Sequence, residues 1–421
     1  MQKMKLLLFL SILMASCTKE PIPTPCTKPD CDTTKVIKKD STLTLLWQKS
    51  LAKDNHYNPG VYITDIGDYV VFNYDIIEKS KLLFIDKQDT TSSRFYEPIQ
   101  GAIKQQFYHK EVGLIALDYK TIYTGRDASS MHKIASAPEG TQFSAHNKLI
   151  GHELYMNLRR EDKKESYIIR VNILTGEIVY DVTMKDSDYP GYQNIYIYTP
   201  SFFIKGINDT LLIYSSVFDL KNMPFDHKEE VIRKSTGELV FVDSSNYYLT
   251  TSQLDIINYH DDIIYNTGWD LKRVNTDSWN IVWRAPPISS RDSWLTPNLI
   301  LLDDRICFVD QGHYVEVDAR TGVILYDSPE IYSPQSASEV TYFDGIFYWT
   351  AAADGYSWIF GLRASDHKVV LKMKSPNFGK APYYNDTNYS TNGVVIDPET
   401  RLFYTADGFF AQCFRIPLSY K

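Results

Sequence analysis

Two adjacent carboxylate pairs, Asp261-Asp262 and Asp303-Asp304, come nearest in this sequence to acid/base machinery, because two close carboxylates can divide the acid and base roles between them. Both pairs fall in the same kind of short polar hairpin turn, and repetition at one structural position points to turn chemistry. Gly151-His152-Glu153 opens like a zinc-protease motif, but no second His follows at the required spacing, and the nine histidines are otherwise scattered. Asp186-Ser187-Asp188-Tyr189-Pro190-Gly191 gathers carboxylates as a calcium loop would, yet the third acid is missing and Ile197 stands where an EF-type loop needs Glu. That segment is expected to be a solvated turn. Neither a Gly-x-Ser-x-Gly elbow nor a phosphate-cradling Gly-Lys loop is present. No catalytic residue, cofactor or metal site is therefore expected, and the chain reads as something other than an enzyme.

The N-terminus supplies an address. Met1 to Ser16 joins Lys3 and Lys5 to the apolar run Leu6 to Met14, which is too short to span a bilayer and reads as a signal peptide. The junction Met14-Ala15-Ser16-Cys17 resembles the lipobox of bacterial lipoproteins, which implies cleavage before Cys17 and acylation of its thiol. Residues 17–41 carry Pro21, Pro23, Pro25 and Pro29 with no apolar periodicity and read as a lipidated tether. Cys26 and Cys31 lie five apart in a chain expected to be exported, so they are a candidate local disulfide. Cys307 and Cys413 fall in predicted strands and are expected to behave as small apolar core residues, with their pairing left open. The expected location is the bacterial cell envelope, lipid-anchored to the outer membrane on either side, with the lipid as the sole contact to the membrane.

Residues 42–421 remain for one domain. Hydrophobic residues make up 43% and charged residues 23%, so the chain folds, and 31 Tyr against 20 Gly and 19 Pro suit pleated, half-buried surfaces. Acids outnumber bases 52 to 44, a net charge of -8 that would repel a phosphate backbone, so nucleic acid is excluded as a partner. Eight short polar turns lead into strands ending in Tyr or Phe, near residues 68, 110, 152, 208, 262, 304, 345 and 399. Their spacing of about 40 to 55 residues is that of four-stranded propeller blades. A second signal runs in phase: Asn172-Ile173-Leu174-Thr175-Gly176, Lys234-Ser235-Thr236-Gly237 and Asp318-Ala319-Arg320-Thr321-Gly322, each followed by an apolar strand with an aromatic. Asn275-Thr276-Asp277 and Ala364-Ser365-Asp366 are degenerate copies. The last unit lacks its outer strand, and Thr42 to Lys49 has no unit of its own. The expected fold is all-β, an eight-bladed propeller of four-stranded antiparallel blades whose last blade is closed by the N-terminal strand.

The phrase Val317-Asp318-Ala319-Arg320-Thr321-Gly322 with its apolar-aromatic strand resembles the repeat of quinoprotein-like (PQQ-like) propellers. That family holds both quinone-dependent dehydrogenases and a scaffold lipoprotein of outer-membrane barrel assembly. The dehydrogenases form a disulfide ring from neighbouring cysteines, which this chain lacks, so quinone binding is not expected. Ala353-Asp354-Gly355-Tyr356-Ser357-Trp358 is similar to the Asp-box of sialidase propellers but out of register by one residue.

Within a unit of strands A to D, the D-to-A and B-to-C connections share one face, and the A-to-B and C-to-D turns share the other. The first face carries long insertions: Lys185 to Asn194 with Tyr189 and Tyr192, Ala285 to Pro297 with Trp294, and Lys374 to Asn392 with Phe378, Tyr383, Tyr384 and Tyr389. Exposed rings on a rigid scaffold suit stacking on sugars or anchoring a protein partner, although the same rings could pack on the blade tops. The expected function is a non-catalytic binding or scaffold protein of the cell envelope with a protein or glycan partner. The alternatives are a glycan-binding lipoprotein of an uptake system and, less favoured, a divergent propeller enzyme.

Overall fold

The computed structural model describes residues 43–51, 61–76, 79–97, 99, 101–143, 147–160, 162–185, 187, 192–205, 209–220, 223–233, 238–245, 256–266, 271–286, 298–332, 337–353, 356–377, 393–407 and 409–417; of 192–245 it describes the backbone alone. Every element with a full span among them is a β-strand. Eight four-stranded antiparallel sheets follow one another, each pairing its strands in chain order except the last. Their spans are 63–96, 105–136, 148–185, 192–245, 256–285, 300–327, 341–374 and 395–415. In the last sheet Phe410–Arg415 pairs with Thr44–Ser50, in a register running from Thr44 opposite Arg415 to Ser50 opposite Phe410. The N-terminal strand thus supplies the outer strand that the final unit lacks.

The expectation of an eight-bladed propeller is corrected. Seven of the sheets have strands of three to eight residues, as propeller blades do, whereas the fourth has strands of 14, 12, 11 and 8. At about 3.3 Å per residue its first strand would run to about 46 Å, far beyond a ring whose other first strands span about 10 to 17 Å. What stands as propeller is seven four-stranded antiparallel blades, with the sheet 192–245 outside their dimensions. The turn near 208 is flanked by intervals of about 56 and 54 residues, but the interval leading to 399 is as long, so spacing alone did not single this sheet out in the sequence. Part of the insertion expected at 185–194 is also strand, because Tyr192–Lys205 begins inside it.

The burial pattern follows from the stacking of sheets face to face. The second strands Gly113–Leu117 and Asp262–Asn266 are buried at every position, since a neighbouring sheet covers each of their faces. Outer strands such as Ile324–Asp327 stay half exposed. The hydrophobic clusters lie between sheets: Val70, Phe72 and Leu83 of the first pack with Tyr404, Ala411 and Cys413 of the last. Cys307 and Cys413 are both free and buried, as core residues. Burial pushes their thiols up to about 11 and about 12, so the reactive thiolate is scarce at neutral pH.

The C-to-D turns show why the recurring Thr-Gly is there. Asp318 Oδ1 accepts the N–H groups of Arg320 and Thr321 at 2.8 and 2.9 Å, and Asn172 does the same for Leu174 and Thr175. The chain then needs one residue at positive φ, taken by Gly176 at 75° and Gly322 at 74°. Gly322 also admits the preceding sheet: a Cβ there would lie 2.7 Å from the ring of Trp283, whose Nε1 donates to the Ala319 carbonyl at 3.1 Å. In the degenerate copies Trp279 and His367 occupy the same left-handed position, at 59° and 57°.

Candidate functional site

On the face of A-to-B and C-to-D turns, short hairpins hold His260, Asp303 and Arg401 at positive φ and turn their polar neighbours toward the next sheet. Asp262 accepts from Arg273 Nε at 2.5 Å and from Asn275 Nδ2 at 2.8 Å. Asp304 accepts the hydroxyl of Tyr259, from the preceding sheet, at 2.7 Å. The paired carboxylates therefore serve turns and sheet contacts. Other ties repeat the scheme: His152 Nε2 lies 3.0 Å from Glu111, Arg401 Nη1 lies 2.6 Å from Asp344, and Lys87 bridges Asp65 at 2.7 Å and Asp397 at 2.8 Å. The last of these joins the first sheet to the final one.

Between the sixth and seventh sheets this face opens into a cleft of about 300 Å³. Arg305 and Asp303 of the sixth sheet border it on one side, and Tyr342, Asp344, Arg363 and Ser365 of the seventh on the other. The two arginine side chains are each about a third exposed, at 32% and 33%, and Arg363 Nε lies 3.1 Å from Asp366 Oδ1. Arg305 is braced from below. Its Nη1 lies 3.3 and 3.2 Å from the two oxygens of Glu316, a carboxylate whose side chain is 4% exposed. Glu316 Oε1 also accepts the Tyr314 hydroxyl at 2.7 Å and lies 3.1 Å from His367 Nε2, whose ring stacks on Tyr326 at 3.9 Å. Burial works to lower the Arg305 pKa, but the Glu316 charge outweighs it and raises it; burial pushes the Tyr314 hydroxyl far up. Glu316 is thus a buried carboxylate held by Tyr314 and His367, suited to positioning Arg305.

The opposite, loop face is where the sequence places the candidate ligand-binding residues. Tyr189, Trp294, Phe378, Tyr383, Tyr384 and Tyr389 lie outside the described residues, as do Cys17, Cys26 and Cys31. Tyr192 opens the strand Tyr192–Lys205. The described part of that face is anchored by Asp407, buried in the B-to-C turn of the last sheet. Its Oδ2 accepts from Ser375 Oγ at 2.5 Å, Asn377 Nδ2 at 2.9 Å and Gln412 Nε2 at 2.8 Å, and its Oδ1 from the N–H groups of Phe409 and Phe410. Asn377 reaches on to Gln48 Oε1 of the closing strand at 3.1 Å, so the start of the 374–392 connection is tied to the ring closure.

Arg305, Arg363 and Glu316 were not singled out by sequence reasoning. Arg305 does follow the Asp303-Asp304 turn directly, but its place in one cleft with Arg363 joins two units and has no local signature. Reasoning also missed a set of amide clasps near the first strands. Gln105 exchanges two hydrogen bonds with the Asn147 backbone, at 3.2 and 2.9 Å, and Asn298 does so with Val340, at 3.0 and 2.8 Å. Each pair spans 42 residues, the commonest interval of the repeat, so amides in phase with the turns were the available signal.

No family model matches the chain, and no curated protein matches it. Among solved structures, the chain described as "Structure of Dos1 propeller" is similar with a TM-score of 0.56 and 9% identity, over 88% of this chain and 95% of that one. Dihydro-heme d1 dehydrogenase NirN, in complex with DHE, is similar with a TM-score of 0.51 and 11% identity, over 76% of this chain, which spans 66% of the NirN chain. At these identities the likeness carries the fold and nothing finer: this chain shares the β-propeller fold of these neighbours.

Proposed function

We propose that this chain is a lipid-anchored β-propeller of the bacterial outer membrane that works by binding, as a scaffold or receptor protein, through its loop face. The observation that supports it is a division of labour between faces. Among the described residues of the turn face, ionisable groups tie several sheets to their neighbours, as Lys87 does between Asp65 and Asp397 and Tyr259 does onto Asp304. The longest connections, 286–299 and 375–394, emerge on the other face from a ring braced in this way. A rigid ring bearing long aromatic loops is the arrangement of a binding protein, because anchors fixed in place lose little entropy on association.

The test uses the full chain in detergent-solubilised membranes. Alanine at Trp294, Tyr383 or Tyr384, one at a time, is expected to weaken capture of the partner at least tenfold in a quantitative pull-down or glycan array. Melting temperatures should stay within a few degrees. Melting curves that collapse together with capture would move these rings into the blade core and remove the loop face as the working surface.

A further inference from the structure

We propose that the cleft between the sixth and seventh sheets is a second binding site, on the face opposite the loops, for an acidic saccharide: a sugar residue carrying a carboxylate. The inference stands independently of the loop-face reading, since it uses none of the same residues. Four features of the cleft converge on that ligand class. Arg305 and Arg363 approach it from separate sheets, and guanidinium forks are the side chains best matched to a planar carboxylate. Arg305 is held in place by buried Glu316, which engages its Nη1 and leaves the rest of the fork out of that contact. Pre-organised charge of this kind favours binding, because the side chain's ordering cost is met before the ligand arrives.

The other two features select a sugar over a simple anion. Tyr342 is 37% exposed at the cleft wall, a ring available as a stacking platform. Asp303 sits at a turn tip with φ at 55°, and Ser365 lies across from it. A carboxylate and a hydroxyl at the rim accept and donate hydrogen bonds to ring hydroxyls, whereas Asp303 would repel a compact, highly charged anion. Asp344 adds less repulsion, since Arg401 neutralises it at 2.6 Å. The volume of about 300 Å³ lies at the small end of ligand sites, which run from roughly 300 to 1,000 Å³. One or two sugar residues of a chain would occupy it, with the remainder in solvent.

Titration calorimetry on the purified full-length protein at about 0.15 M salt tests this, with tri-galacturonate as probe. Its methyl ester, which keeps the hydroxyls and removes the charge, and tetra-glutamate, which keeps the carboxylates and removes the sugar, are the two comparisons. Tri-galacturonate is expected to bind saturably, with both comparison ligands at least tenfold weaker. Arg363→Gln and Tyr342→Ala should each weaken tri-galacturonate at least tenfold with the melting temperature unchanged within about two degrees. Arg305→Gln should do the same, and because that residue also neutralises Glu316, the other two variants decide the matter if it fails to fold. Absence of saturable binding, equal affinity for the methyl ester or for tetra-glutamate, or insensitivity to Arg363→Gln would each overturn the proposal. Loss of binding at the loop-face aromatics alone would overturn it too, and would leave the loop-face reading intact.

Discussion

Gly322 carries two demands at once, a left-handed backbone and a surface against which Trp283 can lie. Alanine would meet both, since its φ of 74° is costly for any residue with a Cβ and that Cβ would stand 2.7 Å from a ring fixed by its own hydrogen bond to Ala319. Gly322→Ala is therefore expected to destabilise by about 2 to 3 kcal/mol, adding roughly 1 kcal/mol of backbone strain to the displacement of a packed ring. Chemical denaturation with Trp fluorescence reads both effects, and an unchanged midpoint would contradict the packing account. The Thr-Gly repeat was legible in the sequence as a turn. Its second role was not, because Trp283 belongs to the preceding unit. His367 shows the other solution at the same position: a side chain replaces the glycine and meets Tyr326 and Glu316 itself.

At the scale of elements, the joints between sheets decide stability, and the joint between the first sheet and the last is the one that chain connectivity does not hold. Lys87 bonds Asp397 across it, with side chains 13% and 9% exposed. Burial works to raise Asp397, but the Lys87 hydrogen bond and the Thr400 backbone hold it below the usual carboxylate range. Burial likewise works to lower Lys87, and its two carboxylate partners outweigh that and raise it. A carboxyl depressed in the folded state adds stability that is present above its unfolded pKa, about 3.9, and is lost as pH falls through the folded value. A raised lysine adds stability that is present below about 10.4 and is lost as pH rises through its folded value. The joint is thus at full strength between about pH 4 and pH 10. Lys87→Met should cost about 3 kcal/mol at pH 7, by leaving buried carboxylate charge unpaired. That cost should shrink as pH falls, because the variant's Asp397, no longer held down by Lys87, takes up its proton before the wild-type residue does. Urea unfolding of both proteins at pH 3, 5 and 7 measures it, and a stability difference constant across that range would refute the assignment.

For the molecule as a whole, closure is the step on which the ring depends. Thr44–Ser50 covers the edge of Phe410–Arg415, and Leu43, 5% exposed, packs with Phe414 and Ile416 in the cluster shared with the seventh sheet. Deleting residues 42–49 exposes that edge and removes Trp47 from beside Tyr404, so a loss of about 4 kcal/mol or more is expected. Deleting residues 18–38, the Pro-rich stretch expected to be a tether, should leave the melting temperature nearly unchanged. Calorimetry on the two deletions gives the comparison, and equal losses would sink the closure account.

Much of this architecture was open to reading because it is periodic and local. Hairpin turns, the Thr-Gly motif and the unpaired strand near Trp47 are set by residues within a few positions of one another, and the acid pairs declared themselves as turn residues by recurring at 42 residues. The count of equivalent blades was not open in the same way: the turn near 208 announces a hairpin, while how far its strands extend is decided by pairing partners such as Asn194 with Asp219 and Tyr192 with Leu220. The cleft was hidden for a related reason. Arg305 and Arg363 lie 58 positions apart on different sheets, and their meeting, like the seating of Glu316 beneath Arg305 by a histidine from the next unit, is fixed only when one sheet packs against another. Local patterning writes the units of a repeat protein, and the surfaces formed where units touch come into being only in the assembled ring.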